Sequence, residues 1–304
     1  MSDIINVSKL SKNYGASPGI TDVTFTVARG EVFGFLGPNG AGKTTTMRIL
    51  MGLLKPTTGH AYINELDCWT QATAVKHFVG YLPGEYAFDP NLKGAQIIEY
   101  LGNLRGGIDR AYVRQLVERL DFDPGKRFRE YSRGNKQKVG LVQAFMHKPH
   151  LLILDEPTGG LDPLNQQEFY KMVAEVRADG RTIFLSSHIL PEVEHTCDRV
   201  GIIRAGKLIQ VSGVAQLKEI KQSDVTIHFA SPASPEWFNL LPVVLNATVE
   251  NGGRSVRLAV QGDLHEVIKV AARHDATNII THEPDLEEVF LRFYEQERSP
   301  VPAE

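Results

Sequence analysis

The chain has 304 residues, of which 42% are hydrophobic and 23% are charged, as is ordinary for a soluble globular protein. Its apolar runs fall short of the roughly 18 residues that a membrane span needs, and its net charge of −3 gives no reason to expect nucleic acid as a partner. The opening of the chain has no secretory-signal pattern. Cys68 and Cys197 are far apart and lack metal-site spacing, so we expect a reducing, cytosolic compartment.

Charge changes sign along the chain. Residues 214–304 contain 14 acids and 8 bases, a net charge of −6, whereas residues 1–213 carry a net charge of +3. The pattern of strands and helices changes at the same place. We therefore predict a large domain at 1–213 and a smaller one at 214–304.

Two strand patterns open the larger domain. Apolar and polar residues alternate in IINVSKL and TDVTFTV, which predicts half-buried antiparallel strands. The more continuous apolar strand EVFGFLG then leads into glycines. KTTTMRILMGLL follows with the period of a helix that ends before Pro56.

Strands and helices alternate in the rest of this domain. Helical patterns such as AYVRQLVERL occupy a predicted helical region at about 85–145, and the strand-like runs LLILDE, TIFLSS and RVGIIRA follow with helical segments between them. This alternation predicts an α/β fold in which helices cover a mostly parallel sheet.

The smaller domain has a different order of elements. DVTIHF, PEWFNLL, VVLNATVE, SVRLAV, DLHEVIKVAARH and TNIITH predict strand, helix, strand, strand, helix and strand, and LEEVFLRFYEQE predicts a final helix. The first six elements follow the order of a ferredoxin-like α+β unit.

A phosphate-binding loop lies between an apolar strand and a helix. GPNGAGKT, residues 37–44, matches the pattern G-x-x-x-x-G-K-[ST]. Glycines let successive N–H groups point at phosphate oxygens, and the helix N-terminus adds its dipole. We expect Lys43 to neutralise the β- and γ-phosphates and the Thr44 hydroxyl to bind Mg²⁺. The residues expected to hold the nucleotide phosphates here are Gly37, Pro38, Asn39, Gly40, Ala41, Gly42, Lys43, Thr44 and Thr45.

Two acids end the strand pattern LLILDEP. We expect Asp155 to hold the magnesium ion, directly or through water, and Glu156 to accept a proton from the attacking water. An acidic strand end that only caps a helix would explain one carboxylate, but not a pair that follows a phosphate loop. The two motifs together therefore predict phosphoryl transfer from a nucleoside triphosphate to water.

Five motifs follow one another between residues 37 and 188, namely GPNGAGKTT, YSRGNKQK, LLILDEP, GGLD and SSH. In this order they resemble the nucleotide-binding subunits of ATP-binding cassette (ABC) proteins, and the resemblance covers about residues 3–213. The resemblance implies a phosphate-loop ATPase core with an antiparallel β subdomain and a helical subdomain.

The resemblance also gives YSRGNKQ, residues 131–137 and here called the signature segment, a role. In this family the signature closes over the ATP of a second subunit, so two subunits docked head to tail share two composite sites. Ser132 and Gly134 match the positions that meet the γ-phosphate, whereas Tyr131, Arg133 and Asn135 depart from the usual residues. The alternatives are a solvated helix start and a nucleic-acid patch, and no aromatic stacking platform supports the patch.

Three further residues match functional positions of this family. Tyr14 matches the aromatic residue that stacks on adenine, although a tyrosine beside glycine is also a common turn residue. His188 matches the switch histidine that contacts the γ-phosphate and helps to orient water. Asp162 matches the residue that links one site to its partner across the interface.

One residue of the family pattern is absent. The family usually has a glutamine after the strand VGYLP, where it contacts the metal, and this chain has Gly84 followed by Glu85. Carboxylates bind hard cations well, so we expect Glu85 to take over part of this role. The alternative is an acid on a surface loop.

The remaining features indicate a transporter subunit. Translation-linked ABC proteins generally carry two cassettes, and chromosome and repair ATPases insert a long coiled coil. This chain has one phosphate loop, and the 112 residues from Lys43 to Asp155 contain no sustained heptads. We therefore expect a cytoplasmic subunit on the inner face of the cell membrane, bound to a separate integral membrane permease. The alternative is an ATPase coupled to a soluble assembly in repair, translation or metallocluster assembly.

Two segments narrow this expectation. PDLEEVFLRFY and GYLPGEYAFDPNLKG resemble the ATPase subunits of bacterial multidrug and antibiotic exporters. That resemblance implies export of a drug, antibiotic or lipid-like cargo and implies that the loop around Tyr86 and Phe88 receives the permease. It leaves open the cargo and whether the second ATPase subunit is a copy of this chain or a paralogue. The smaller domain either regulates the ATPase or braces the dimer.

Overall fold

The computed structural model describes residues 3–15, 17–86, 88–216 and 222–282. The chain divides into two compact units, Met1–Ser212 and Gly213–Glu304, and each is described by itself. No helix within the described ranges is long and apolar enough to cross a bilayer.

The strands and helices of the first unit follow one another as the sequence patterns predict. The strands are β1 (Asp3–Tyr14), β2 (Ser17–Ala28), β3 (Val32–Leu36), β4 (Thr58–Ile63), β5 (Leu66–Asp67), β6 (Val79–Leu82), β7 (Leu151–Asp155), β8 (Thr182–Ser187), β9 (Arg199–Arg204) and β10 (Lys207–Gly213). The helices are α1 (Lys43–Leu50), α2 (Ala72–Phe78), α3 (Gly94–Asn103), α4 (Arg110–Arg119), α5 (Arg133–Phe145), α6 (Pro163–Ala178) and α7 (Leu190–Thr196), with a 3₁₀ turn at Phe128–Glu130.

The first unit contains an antiparallel sheet with the strand order β2-β1-β4-β5. β1 pairs antiparallel with β2 and with β4, and β5 pairs antiparallel with β4. The alternating patterns at the start of the chain therefore form antiparallel strands, as predicted. Their apolar side chains lie on the buried face because successive residues of a strand point to opposite sides.

A second sheet has the strand order β10-β9-β3-β8-β7-β6. β3 pairs parallel with β9 and β8, and β7 pairs parallel with β8 and β6. β3, β7 and β8 are buried along their whole length, as expected for parallel strands covered on both faces. The predicted parallel sheet is confirmed, and β3, β8 and β7 end side by side at one edge.

Local chemistry fixes several helix ends. Asp109, Ser132 and Asp162 cap α4, α5 and α6 by accepting hydrogen bonds from backbone N–H groups of the first turn. α1 ends at Leu50, earlier than the predicted segment KTTTMRILMGLL. Gly52 has a φ of 60°, the left-handed conformation that commonly terminates a helix.

Four phenylalanines join the two sheets. The rings of Phe25, Phe33, Phe35 and Phe184 lie with centroids 5.4–5.9 Å apart. Phe25 belongs to the antiparallel sheet, and the others belong to β3 and β8 of the parallel sheet. This buried cluster fixes the strands that carry the phosphate loop.

Over residues 222–282 the second unit is an antiparallel sheet with two helices. Its strand order, β12-β13-β11-β14, and its βαββαβ sequence are those of the predicted ferredoxin-like unit. The final helix predicted in LEEVFLRFYEQE lies outside the described residues. The elements are β11 (Gln222–Phe229), α8 (Glu236–Asn239), β12 (Val244–Glu250), β13 (Ser255–Gln261), α9 (His265–Arg273) and β14 (Ala276–His282), with a 3₁₀ turn at Asn251–Gly253.

Both cysteines are free and buried. Burial raises the pKa of the Cys68 thiol to about 12 and that of the Cys197 thiol to about 12. Loss of hydration disfavours the charged thiolate, so both side chains are protonated at neutral pH.

A buried carboxyl connects α7 to the end of β8. Glu192 is 2% exposed, and its Oε2 accepts a hydrogen bond from Ser187 Oγ at 2.5 Å. Burial raises the pKa of Glu192 to about 6, although hydrogen bonds from the hydroxyls of Ser187 and Thr158 oppose the shift. The fold therefore favours the neutral form of this carboxyl.

We predict that Glu192→Gln changes the pH dependence of stability. Folding raises the pKa of Glu192 from 4.5 to about 6, so the neutral carboxyl stabilises the fold at low pH and this contribution is lost as pH rises through that interval. Between pH 4.5 and 7 the variant should gain about 2 kcal/mol in free energy of unfolding relative to the natural chain. Urea unfolding measures this difference, and a difference that is the same at every pH would contradict the prediction.

Candidate active site

The phosphate loop connects β3 to α1 in a path that needs glycine. A Cβ at Gly37 would lie 2.2 Å from the Ile203 carbonyl oxygen, and Gly42 combines a φ of 107° with only 2.5 Å between such a Cβ and Ile20 Cγ2. Other side chains would clash or strain the backbone at these positions. The glycines therefore allow the loop to pack tightly under the start of α1.

A cavity of about 320 Å³ lies beside this loop. Tyr14 borders it with half of its surface exposed, and its hydroxyl lies 3.4 Å from Thr45 Oγ1. A Cβ at Gly19 would lie 2.7 Å from Tyr14 Cε2, so this glycine lets the ring lie against the chain. The ring is therefore available to stack on a base. The cavity is lined by Tyr14, Pro18, Gly19, Asn39, Gly40, Ala41, Gly42, Lys43, Thr44, Thr45 and Glu156.

Lys43 connects the phosphate loop to Glu156. Its buried Nζ donates to the carbonyl oxygens of Gly37 at 2.6 Å and Pro38 at 3.2 Å, and it lies 3.1 Å from Glu156 Oε1. The carbonyls of Gly37 and Pro38 thus hold the lysine, and the predicted contact of these two residues with ATP stays a prediction. The contact with Glu156 unites two motifs that are more than a hundred residues apart.

Asp155 presents an unsatisfied oxygen at the end of β7. The side chain is 1% exposed, and Oδ1 accepts from Ser186 Oγ at 2.6 Å. Oδ2 is buried and has no hydrogen-bond partner among the described residues. Mg²⁺ is typically held by one or two carboxylates together with substrate phosphates. Asp155 and the Thr44 hydroxyl, which lines the cavity, therefore fit a magnesium site.

Glu156 lies between a cation and an imidazole. Its Oε2 is 2.6 Å from His188 Nδ1, and its Oε1 forms the ion pair with Lys43. Glu156 lines the cavity, and the His188 side chain is 47% exposed. A carboxylate in this position can accept a proton from water, and a neighbouring histidine can hold its orientation.

The backbone of Glu156 is held in an unusual conformation. Its φ is 51°, a left-handed conformation that costs a residue other than glycine about 1–2 kcal/mol. Its N–H donates to Ser186 Oγ at 2.9 Å, and its carbonyl accepts from Gly159 N and from Gln137 Nε2, each at 3.0 Å. Three hydrogen bonds therefore offset the strain at this residue.

The residues of the signature segment do not line the cavity beside the phosphate loop of their own chain. Ser132 Oγ accepts from Asn135 N at 3.2 Å, and a Cβ at Gly134 would lie 2.5 Å from the Gly160 carbonyl oxygen. The exposed side chain of Arg133 instead borders a second cavity of about 320 Å³. We predicted that residues 132–135 complete the active site of a second subunit, and this stays a prediction. The second cavity is lined by Gly84, Glu85, Tyr86, Arg133, Lys136, Gln137, Glu156 and Gly159.

Asp162 has a local role as the cap of α6. Its Oδ1 accepts from Asn165 N at 3.0 Å, and its Oδ2 accepts from Asn165 Nδ2 at 2.7 Å. These hydrogen bonds lower the pKa of Asp162 because they favour the charged carboxylate. Its predicted role across a subunit interface is not tested by these contacts.

The loop after β6 passes close to Asp155. A Cβ at Gly84 would lie 2.9 Å from Asp155 Oδ2, so a side chain at this position would collide with the expected metal ligand. Glu85 is exposed and borders the second cavity together with Glu156. Its proposed role at the metal stays a prediction.

Sequence reasoning missed two residues that hold the site. Ser186 donates to Asp155 and accepts from the Glu156 N–H, while Gln137 donates to the carbonyls of Glu156 and Pro157. Ser186 is the first residue of the motif SSH, two residues before His188. Its place at the end of a predicted strand could have indicated that it lies beside the two acids. Gln137 is the last residue of the signature segment, but its contact with the Glu156 peptide has no signal in the sequence.

Known proteins share this architecture. The ABC transporter family matches residues 20–159. The bacitracin transport ATP-binding protein BcrA of Bacillus licheniformis is 37% identical over 225 residues, which is 72% of this chain and 72% of that protein. The daunorubicin resistance ATP-binding protein DrrA3 of Streptomyces coeruleorubidus is 33% identical over an alignment that covers 97% of this chain and 96% of that protein.

A solved structure extends the comparison to the fold. The ATP-binding subunit of an ABC transporter, 30% identical in sequence, superposes with a TM-score of 0.65 over 71% of this chain and 92% of that chain. This likeness in fold indicates the same family as do the phosphate loop, the acidic end of β7 and the neighbouring His188 of this chain. This chain therefore belongs to the ABC transporter family as an ATP-binding, ATP-hydrolysing subunit.

Proposed function

We propose that this chain powers a separate integral membrane permease that exports a drug, an antibiotic or a lipid-like molecule. The observation that carries the proposal is the cluster of Lys43, Glu156 and His188 beside the phosphate loop. Two relatives are named for bacitracin transport and daunorubicin resistance, and the second matches this chain over almost its whole length. We assign the ATPase to residues 1–213 and an accessory role to residues 214–304.

ATP binds in the cavity beside the phosphate loop. Adenine stacks on the exposed ring of Tyr14, an interaction typically worth about 1–3 kcal/mol. The backbone N–H groups of residues 39–45 and the start of α1 surround the phosphates. Lys43 exchanges its contact with Glu156 for the β- and γ-phosphate oxygens.

Thr44 and Asp155 would hold a magnesium ion at the phosphates. The ion supplies positive charge that stabilises the transferring phosphoryl group. Asp155 remains oriented for this role because Ser186 occupies its other oxygen.

Hydrolysis depends on the Glu156 carboxylate. It accepts a proton from the attacking water, and His188, at 2.6 Å, orients the carboxylate and contacts the γ-phosphate. The left-handed backbone at Glu156 directs its side chain into the cavity, next to Lys43.

A second subunit, either another copy or a paralogue, completes each site. Ser132 and Gly134 reach the γ-phosphate held by the facing subunit, and Arg133 and Asn135 follow them at the start of α5. Closure of the dimer moves the helical regions, which transmit the movement to the permease at the inner face of the membrane, and hydrolysis releases it.

We predict that Glu156→Gln traps an ATP-bound dimer. Loss of the base should lower turnover by at least about 100-fold, while the phosphate loop still binds ATP. Light scattering at saturating ATP should show a dimer, and phosphate release should be nearly absent. Glu118→Gln, a neutralising change on the exposed side of α4, serves as the control and should behave as the natural chain does. A trapped monomer would contradict the proposal.

We predict that adding Ser132→Asp to Glu156→Gln prevents this dimer. Aspartate preserves the N-cap of α5, but it places a negative charge where the γ-phosphate of the facing subunit lies. The double variant should bind a fluorescent ATP analogue normally and remain monomeric in light scattering. A dimer as stable as that of the single variant would show that Ser132 does not meet the nucleotide.

We predict that Glu85→Ala weakens the response to magnesium. If Glu85 supports the ion, the Mg²⁺ concentration for half-maximal turnover should rise by about tenfold, and Glu85→Gln should restore part of the effect. ATP binding measured without Mg²⁺ should not change. Glu99→Ala, on the exposed face of α3, is the control. An unchanged Mg²⁺ dependence in Glu85→Ala would make Glu85 a surface acid.

A further inference from the structure

The loop after β6 is fixed to α5 through Tyr86. The ring of Tyr86 fills the space above Gly140, where a Cβ would lie 2.4 Å from Cε1 and 2.6 Å from the hydroxyl oxygen. The ring also stacks on Phe88, with centroids 5.9 Å apart, and Phe88 meets the edge of Phe128 at 5.3 Å. Tyr86 therefore links an aromatic row near the surface to the interior of the first unit.

The hydroxyl of Tyr86 donates to Gln137, as the other partners of that side chain require. Gln137 is 6% exposed, and its Nε2 donates to the carbonyl oxygens of Glu156 at 3.0 Å and Pro157 at 2.8 Å. Carbonyls only accept hydrogen bonds, so the amide nitrogen must face them and Oε1 must face Tyr86. The Tyr86 hydroxyl, 3.0 Å from Oε1, is consequently the donor.

The Tyr86 hydroxyl keeps the proton that it donates to Gln137. Burial raises the pKa of the Tyr86 phenol well above its ordinary value, and the nearby Asp155 carboxylate adds to the shift. The phenol is therefore protonated, and able to donate, throughout the physiological range of pH.

The amide of Gln137 acts on a strained peptide. Glu156 has a φ of 51°, and its carbonyl is held by Gln137 on one side and by the Gly159 N–H on the other. If the amide turned away, the peptide could relax towards a right-handed conformation and carry the carboxylate away from His188. The position of the Glu156 side chain thus depends on Gln137, and that of Gln137 depends on Tyr86.

We propose that Tyr86 and Gln137 are positioning residues for ATP hydrolysis: the tyrosine hydroxyl orients the amide, and the amide holds the Glu156 peptide in the conformation that aims its carboxylate into the cavity. The inference rests on the proposed role of Glu156 as the base. Displacement of the loop by a bound partner would withdraw the hydroxyl from Gln137 and lower the rate of hydrolysis without removing any group that contacts ATP.

The first test is Tyr86→Phe in the full-length chain. The variant keeps the ring over Gly140 and removes only the hydroxyl. Single-turnover hydrolysis at saturating ATP should slow by about three- to tenfold, as expected for one neutral hydrogen bond, with an unchanged dissociation constant for ATP. Tyr112→Phe, which removes a phenol hydroxyl from α4, is the matched control and should hydrolyse ATP at the natural rate.

The second test is Gln137→Glu, because its charge can be titrated. At pH 8 a carboxylate would face two carbonyl oxygens, and hydrolysis should fall by about 100-fold. At pH 5.5 a protonated acid can donate to one of these carbonyls, so the activity of the variant relative to the natural chain should rise steeply. A loss that does not depend on pH would overturn the positioning role of Gln137, and urea unfolding of the variant at both pH values checks that the pH-dependent loss is not a loss of fold.

The outcomes separate the two proposals. Suppose that Glu156→Gln abolishes hydrolysis while Tyr86→Phe and Gln137→Glu hydrolyse ATP at the natural rate at every pH. The positioning role of Tyr86 and Gln137 is then wrong, and the role of Glu156 as the base is retained. If Glu156→Gln retains turnover, the role of the base is wrong. A weaker affinity for ATP that accounts for the whole loss in Tyr86→Phe would also overturn the inference, because the two residues would then serve binding.

Discussion

The active site depends on the adjacency of β3, β8 and β7 in the parallel sheet. Parallel strands end at the same edge, where ligands of α/β proteins bind, so the phosphate loop, His188 and the two acids meet although the chain separates them widely. Ser186, at the end of the middle strand, donates to the Asp155 carboxylate and accepts from the Glu156 N–H. One hydroxyl thus orients both acids. The contact between Lys43 and Glu156 connects these acids to the phosphate loop that follows β3.

Several features could be predicted from the sequence because a few consecutive residues encode them. The phosphate loop, the acidic end of β7, the parallel sheet and the βαββαβ order of the second unit belong to this class. Gln137 could not be predicted, because its role arises from the approach of α5 to the end of β7 and to the loop after β6. The contacts of the Gly37 and Pro38 carbonyls with Lys43 could not be predicted for a similar reason, since they depend on the direction of those carbonyls.

Two capping residues are compatible with a second role. Ser132 uses its oxygen as an acceptor at the start of α5, which leaves its hydroxyl hydrogen free to be donated to a phosphate. Asp162 accepts from Asn165 through both oxygens, yet a carboxylate has further lone pairs. The local contacts that orient these side chains therefore do not consume the groups that the dimer would use.

The two buried cysteines make the chain convenient to label. The thiolate is the form that reacts with maleimides and oxidants, and a pKa of about 12 leaves only about one thiol in 10⁵ ionised at neutral pH. A single reactive thiol introduced on an exposed position, such as Tyr100 of α3 or Leu164 of α6, would carry nearly all of the attached dye. Fluorescence could then follow docking of the proposed permease or of the proposed second subunit in the otherwise natural protein.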